Sequence, residues 1–264
     1  MGAIPMKNRP ASLTRSIRSL AGFLRLAVGM VVDAAVRPRA FRRPAVRLVF
    51  HKQIYFTGMQ AAFPVLLAAL AVGVALETQM RSVLGSGEEV NVRMQRMVVQ
   101  GEIAPLLTGL IVLGRSGAAM ATELANMKVR GEIRLLYLLG IDPGEYLIAP
   151  RLLAATLCLP VLTVFFHLVS SMVAPLAASF FEDVQLVAHY RELFSTMQVG
   201  GILLVFLKAM VFGLVISSTA CATGIHVPPE RTWVPQAAEM SVLRGLVGLL
   251  AADLVFAFLR VFLK

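Results

Sequence analysis

Five apolar stretches, 54–76, 103–122, 152–178, 199–225 and 242–262, dominate the chain. Each is long enough to cross a hydrocarbon core of about 30 Å, which takes about 20 helical residues. Backbone groups inside such a core must be paired within the segment, so the sequence predicts an all-α polytopic membrane protein with five transmembrane helices. Composition agrees: 58% of the 264 residues are hydrophobic and 15% charged, against about 25% charged for a soluble domain. Pro64, Pro160, Pro175, Gly73, Gly109, Gly114 and Gly213 fall inside these stretches, as membrane helices tolerate where neighbours re-satisfy the backbone.

The formal charge of +10 is not spread evenly. Residues 1–52 hold eleven Lys or Arg against one acid, Asp33, and the remaining 212 residues balance fourteen bases with fourteen acids. A charge placed this way does not indicate nucleic acid. Between Leu13 and Val36 apolar residues recur every three or four positions with Arg15, Arg18 and Arg25 between them. That pattern predicts an interfacial amphipathic helix facing anionic headgroups, within a basic N-terminal segment 1–53 that precedes a five-span unit 54–264. Arginines interrupt the first apolar run, so no cleavable signal peptide is expected. Counting Lys and Arg in the connections gives 18 on one side and 6 on the other, with Lys208 inside a span. The side rich in bases is the cytoplasmic one, which predicts N-in, C-out.

The connection between the second and third spans is unlike the others. From Glu123 to Leu139 it keeps helical spacing, with Leu124, Met127, Ile133 and Leu136 against Lys128, Arg130, Glu132 and Arg134, and it stops at Gly140 and Asp142-Pro143. A short amphipathic helix on the inner face is expected, either docking another protein or resting on lipid.

Three ionisable groups fall at membrane depth: Arg115, Lys208 and Asp253. A charge there is costly unless it meets protein, water or an ion. Arg115 lies beside a stripe of small residues, Gly114, Ala118 and Ala121, with Gly117 next to it, a pattern that lets helices approach closely. It either lines a cavity and meets a phosphate or carboxylate, or pairs with Asp253, Glu102 or a carbonyl. Cys158 and Cys221 lie in apolar runs and the four histidines are scattered, so neither disulfide nor metal site is expected. The chain holds no G-x-x-x-x-G-K-[ST], H-E-x-x-H or G-x-S-x-G motif. Uphill transport would therefore draw on a partner subunit or an ion gradient. The gradient-driven carrier remains the alternative, and an intramembrane lipid-modifying enzyme ranks below it.

The run Gly114-Arg115-Ser116-Gly117-Ala118-Ala119, then Glu123-Leu124, Met127-Lys128-Val129, Gly140-Ile141-Asp142-Pro143, Tyr146-Leu147 and Pro150-Arg151-Leu152-Leu153-Ala154 closely resembles the MlaE (YrbE) permease family. Gly58, Pro64, Gly73, Gln79 and Glu102-x-x-Pro105 extend it upstream, and Lys208, Phe212-Gly213, Cys221 and Asp253 downstream. The resemblance implies a homodimeric permease of the bacterial inner membrane with an interfacial elbow helix and five spans. It implies two cytoplasmic ABC ATPase subunits that bring ATP and Mg, a periplasmic MCE-domain partner, and phospholipid or similar cargo moving on the route to the outer membrane. By the same resemblance Arg115, Gly114, Gly117, Ala118, Gln79 and Asp253 would line the substrate cavity or dimer interface. Glu123, Leu124, Met127, Lys128, Val129 and Glu132 would belong to the ATPase-coupling helix. The chain departs from the family at Arg130-Gly131-Glu132, where a T-E-Q triplet is usual.

Overall fold

The computed structural model describes residues 44–84, 101–179 and 199–262. The expected elbow helix at 13–36, most of the segment 1–53 and most of both outer connections lie outside these residues. The chain runs through α1 (Pro44–Ile54), α2 (Gln60–Leu84), α3 (Ala104–Val112), α4 (Ala118–Val129), α5 (Glu132–Leu138), α6 (Ala149–Ser179), α7 (Val199–His226) and α8 (Trp233–Phe262). Three five-residue π-helical turns, Tyr55–Met59, Leu113–Gly117 and Gly144–Ile148, join α1 to α2, α3 to α4, and lead into α6. No strand occurs among the described residues.

Five helical stretches are long and apolar enough to cross a membrane: Val46–Gln79, Gly101–Val129, Gly144–Ala177, Gly201–His226 and Trp233–Arg260. The expected count of five holds, but the helices overrun their apolar segments. The third begins eight residues earlier than hydropathy places it and the fifth nine, because Asp142-Pro143 and Trp233 start helices that hydropathy does not register. A helix start is set by backbone capping, whereas the apolar segment marks only the part in hydrocarbon.

The third and fourth spans form the centre of the bundle. One buried cluster joins all five spans through Ala61, Val112, Leu113, Leu159, Leu162, Ala209, Phe212, Ile216 and Leu249. A second ties the first three through Val65, Ala69, Ala104 and Phe166. The first and fifth spans are the least enclosed, and Leu243, Val247, Leu250, Leu254 and Phe258 form an exposed stripe at spacings of three and four on the fifth.

Close packing here depends on small residues, since lipid removes the hydrophobic drive between spans. At Gly213 in α7 an added Cβ would lie 2.5 Å from the Ala155 carbonyl oxygen in α6 and 2.9 Å from Thr156 Cα. Backbone cannot yield as a side-chain tip can. Gly213→Val is therefore expected to cost about 1–3 kcal/mol by forcing the third and fourth spans apart, read as a lower midpoint in thermal unfolding of the detergent-solubilised protein.

The helix expected over 123–139 is divided in two. Its first half is the last stretch of α4, continuous with the second span, and its second half is the separate α5. The break falls at Gly131, whose φ of +77° is left-handed and whose N–H donates to the Lys128 carbonyl at 3.0 Å. This is the glycine at which the sequence departs from the family it resembles. At the far end Gly140, φ +71°, closes α5 with paired bonds, Gly140 N–H to Tyr137 O and Ile141 N–H to Leu136 O. Asp142 Oδ1 then accepts from Gly144 N–H at 2.9 Å and starts the next helix.

Candidate functional site: a cavity where three π turns meet

Arg115 sits in the π turn Leu113–Gly117. A π turn shifts the backbone ladder by one residue, and in the facing turn Tyr55–Met59 the Gln60 N–H reaches back to Tyr55 O. Arg115 Nη1 donates to the Phe56 carbonyl of that turn at 3.1 Å, and Nη2 donates to Gln60 Oε1. Of the alternatives left open by the sequence, the carbonyl is the one Arg115 takes, while the same residue also lines a cavity.

That cavity, about 540 Å³, lies where the first span begins, the second ends and the third begins. All three π turns reach it, through Phe56, through Arg115 and Ser116, and through Tyr146 and Leu147. Arg115, Ala119, Glu123 and Met127 recur every four residues along one face of the second span and form one wall. Lys52, Gln53 and Gln60 come from the first span and Arg151 from the third. Arg151 is 3% exposed and its Nη2 donates to Glu123 Oε2 at 2.8 Å, while its Nε and Nη1 are buried with no hydrogen-bond partner. Ser116 Oγ is likewise buried and unpartnered.

Asp253 and Gln79 are elsewhere. Gln79 lies nineteen residues past Gln60 on one continuous helix, about 28 Å along it at 1.5 Å per residue. Asp253 belongs to a second ionic cluster at that far end. Lys208, 2% exposed, places Nζ 2.5 Å from Glu102 Oε2 and 2.6 Å from Asp253 Oδ1, the latter an ion pair off hydrogen-bonding geometry. Arg260 Nη1 adds a contact to Glu102 Oε1 at 3.2 Å. Two cations and two carboxylates make this group formally neutral, which is how a bundle holds charge in hydrocarbon.

The small-residue stripe is also divided. Ala121 is buried against Gly224 of the fourth span, and the Gly117 carbonyl accepts from Ser241 Oγ at 3.5 Å, whereas Gly114 is exposed with open space around it and Ala118 is half-buried. The residues expected in a coupling helix separate similarly. Leu124 is fully buried with Leu147, Ile148, Leu152 and Cys221, and Met127 packs on that cluster. Lys128 Nζ donates to the Ile225 carbonyl at 2.5 Å, capping the fourth span. Glu123 holds Arg151, Val129 is half-buried, and Glu132 pairs with Arg130 at 3.7 Å on the surface. Exposed apolar surface at this end lies one helix further on: Leu135, Tyr137, Leu138 and Leu139 are 55–76% exposed while Leu136 anchors the helix.

Lys52, Gln53 and Gln60 do not stand out in the sequence, and Ser116 and Arg151 do so only as members of the motifs that carry the resemblance, with no role attached. Arg151 reads there as a loop charge because hydropathy starts the third span at Leu152, and the four-residue repeat 115/119/123/127 is offset by one position from the small-residue stripe.

The family model described as Permease MlaE matches residues 50–259. Among similar proteins is the chloroplastic protein trigalactosyldiacylglycerol 1 of Arabidopsis thaliana, 28% identical over 209 residues covering 78% of this chain and 59% of that protein. A probable ABC transporter permease of Rickettsia typhi is 26% identical over 226 residues, 85% of each chain. The intermembrane phospholipid transport system permease protein MlaE of Haemophilus influenzae is 26% identical over 219 residues, covering 81% of this chain and 84% of that one. With the match running from the first turns of the first span almost to the end of the fifth, the chain belongs to the MlaE permease family.

Proposed function

We propose that the chain is the membrane subunit of an ABC transporter that moves phospholipid or a similar amphiphile. It would sit in the bacterial inner membrane with its N-terminus inside, and pass cargo towards a periplasmic MCE-domain partner on the route to the outer membrane. The observation that carries this reading is the pairing, at one end of the bundle, of a cavity with charged side chains in a largely apolar wall and the exposed apolar helix α5 near it. The Haemophilus relative is named for phospholipid transport and the Rickettsia relative as an ABC permease. With no nucleotide motif in the sequence, ATP and Mg would be bound by a cytoplasmic ATPase seated on α5.

A homodimer fits the poorly enclosed first and fifth spans, whose exposed side chains would form the mutual face. The expected result of mild-detergent purification from native membranes is a dimer carrying a chain with a G-x-x-x-x-G-K-[ST] loop, with phospholipid bound. Ion-gradient-dependent transport by the isolated chain in vesicles, with no such ATPase attached, would instead establish the carrier alternative.

A further inference from the structure

We propose that the cavity at the α5 end of the bundle is a phosphate-binding site, with Arg151 and Ser116 as its inner ligands and Lys52 and Arg115 as its outer ones. The inference rests on the lipid-transporter reading for its choice of occupant, the phosphate of an amphiphile's headgroup. Its support is independent of the family.

Two side chains in the wall are more than nine-tenths buried and unsatisfied. Arg151 has two nitrogens without a partner, and Ser116 Oγ has none. Buried polar groups are paired in nearly all native interiors, and an unpaired one costs the full desolvation of that group. Both residues line the same cavity. Its charge is unbalanced as well: among the described residues Lys52, Arg115 and Arg151 face a single carboxylate, Glu123. The far cluster balances two cations with two acids, but this one is left with an excess of two positive charges. A tetrahedral anion offers several acceptor oxygens, which matches guanidinium and hydroxyl donors and offsets the excess charge. A neutral polar group would accept from the donors without offsetting the charge, and a cation would do neither.

Size and surroundings fit an amphiphile. About 540 Å³ holds a phosphate with its glycerol. Phe56, at the wall, is 43% exposed, and Met59 and Phe63 on the next turns of the first span are 69% and 67% exposed. Acyl chains could lie along that apolar face while the headgroup enters between the first and second spans. Glu123 shares Arg151 with the incoming phosphate and is half-exposed, so its charge opposes binding and keeps the site from holding cargo permanently.

The test uses the full chain, stripped of lipid in maltoside micelles and titrated calorimetrically with dioctanoyl phosphatidic acid, dioctanoylglycerol and inorganic phosphate. Phosphatidic acid is expected to bind at least about tenfold more tightly than dioctanoylglycerol, since the phosphate adds charge-assisted hydrogen bonds. Ser116→Ala should weaken phosphatidic acid about three- to tenfold, one lost hydrogen bond, without lowering the unfolding temperature, because it removes an unsatisfied hydroxyl. Glu123→Gln should tighten it, a direction that a purely structural role for the Glu123–Arg151 pair does not produce. Inorganic phosphate that binds alone with the same response to both variants keeps the anion site and makes free phosphate its occupant. Equal binding of phosphatidic acid and dioctanoylglycerol, or no response to either variant, overturns the proposal. Recovery of the ATPase with the unsubstituted protein reports separately on the transporter reading, so either can fail without the other.

Discussion

Lys208→Met is expected to destabilise the bundle by about 3–5 kcal/mol, the cost of leaving buried charge without its counterpart. Lys208 is 2% exposed and bridges Glu102 on the second span to Asp253 on the fifth. Methionine keeps much of the stem's packing against Phe212, whose ring lies 5.8 Å from Nζ. What is lost is charge. Two carboxylates then share one end of the bundle with Arg260 as their only cation among the contacts described, and among the described residues that guanidinium pairs with Glu102 and not with Asp253. The variant carrying Lys208→Met, Glu102→Gln and Asp253→Asn together should recover most of the loss, since removing all partners of a buried ionic group is far cheaper than removing one. Both variants are read by thermal unfolding in detergent. A triple variant no more stable than Lys208→Met would mean that the residues hold the spans by individual hydrogen bonds rather than by mutual neutralisation.

This cluster also marks how far the sequence could be read. Lys208 and Asp253 are visible as intramembrane charges because hydropathy isolates them. Their pairing is not, because it depends on how spans two, four and five meet, and that is decided by small-residue contacts such as Gly224 on Ala121 and Gly245 on Leu113. Periodicity assigns each residue to a face of its own helix and says nothing about the neighbour. The same limit explains the cavity. Arg115 stands out alone, but Gln60, Lys52 and Arg151 join it only because three π turns reorient their helices at one level. Such turns have no hydropathic signature. The five spans are legible from apolar length, which lipid enforces without regard to partners.

Gly131 carries a different lesson. As a helix-weakening residue inside an amphipathic pattern it is visible in the sequence, yet the pattern extends through it, because the residues before and after it both keep apolar spacing. The left-handed turn separates two jobs that one continuous helix would share. Residues before it, Leu124 and Lys128, are used inside the bundle. Residues after it, Leu135, Tyr137, Leu138 and Leu139, are turned outward, with Leu136 as the anchor.

That separation decides which substitutions test coupling to an ATPase. Leu138→Asp combined with Leu135→Asp is expected to abolish recovery of the ATPase and reduce transport by at least about tenfold. Burying two leucine side chains at an interface contributes about 1.5–3 kcal/mol each, and a carboxylate in their place adds desolvation cost. Folding should be unaffected, since Leu135 and Leu138 are 55% and 76% exposed and the anchor Leu136 is kept. Leu124→Asp also removes transport, for another reason: it puts a charge into a fully buried cluster with Leu147, Leu152 and Cys221, and should lower the unfolding temperature before any partner is added. The two variants separate a docking surface from its support. If the double α5 variant still captured the ATPase with unchanged affinity, the exposed leucines would be lipid contacts. The energy input would then have to enter through the other connection at this end, 227–232, where Pro228 and Pro229 precede the fifth span.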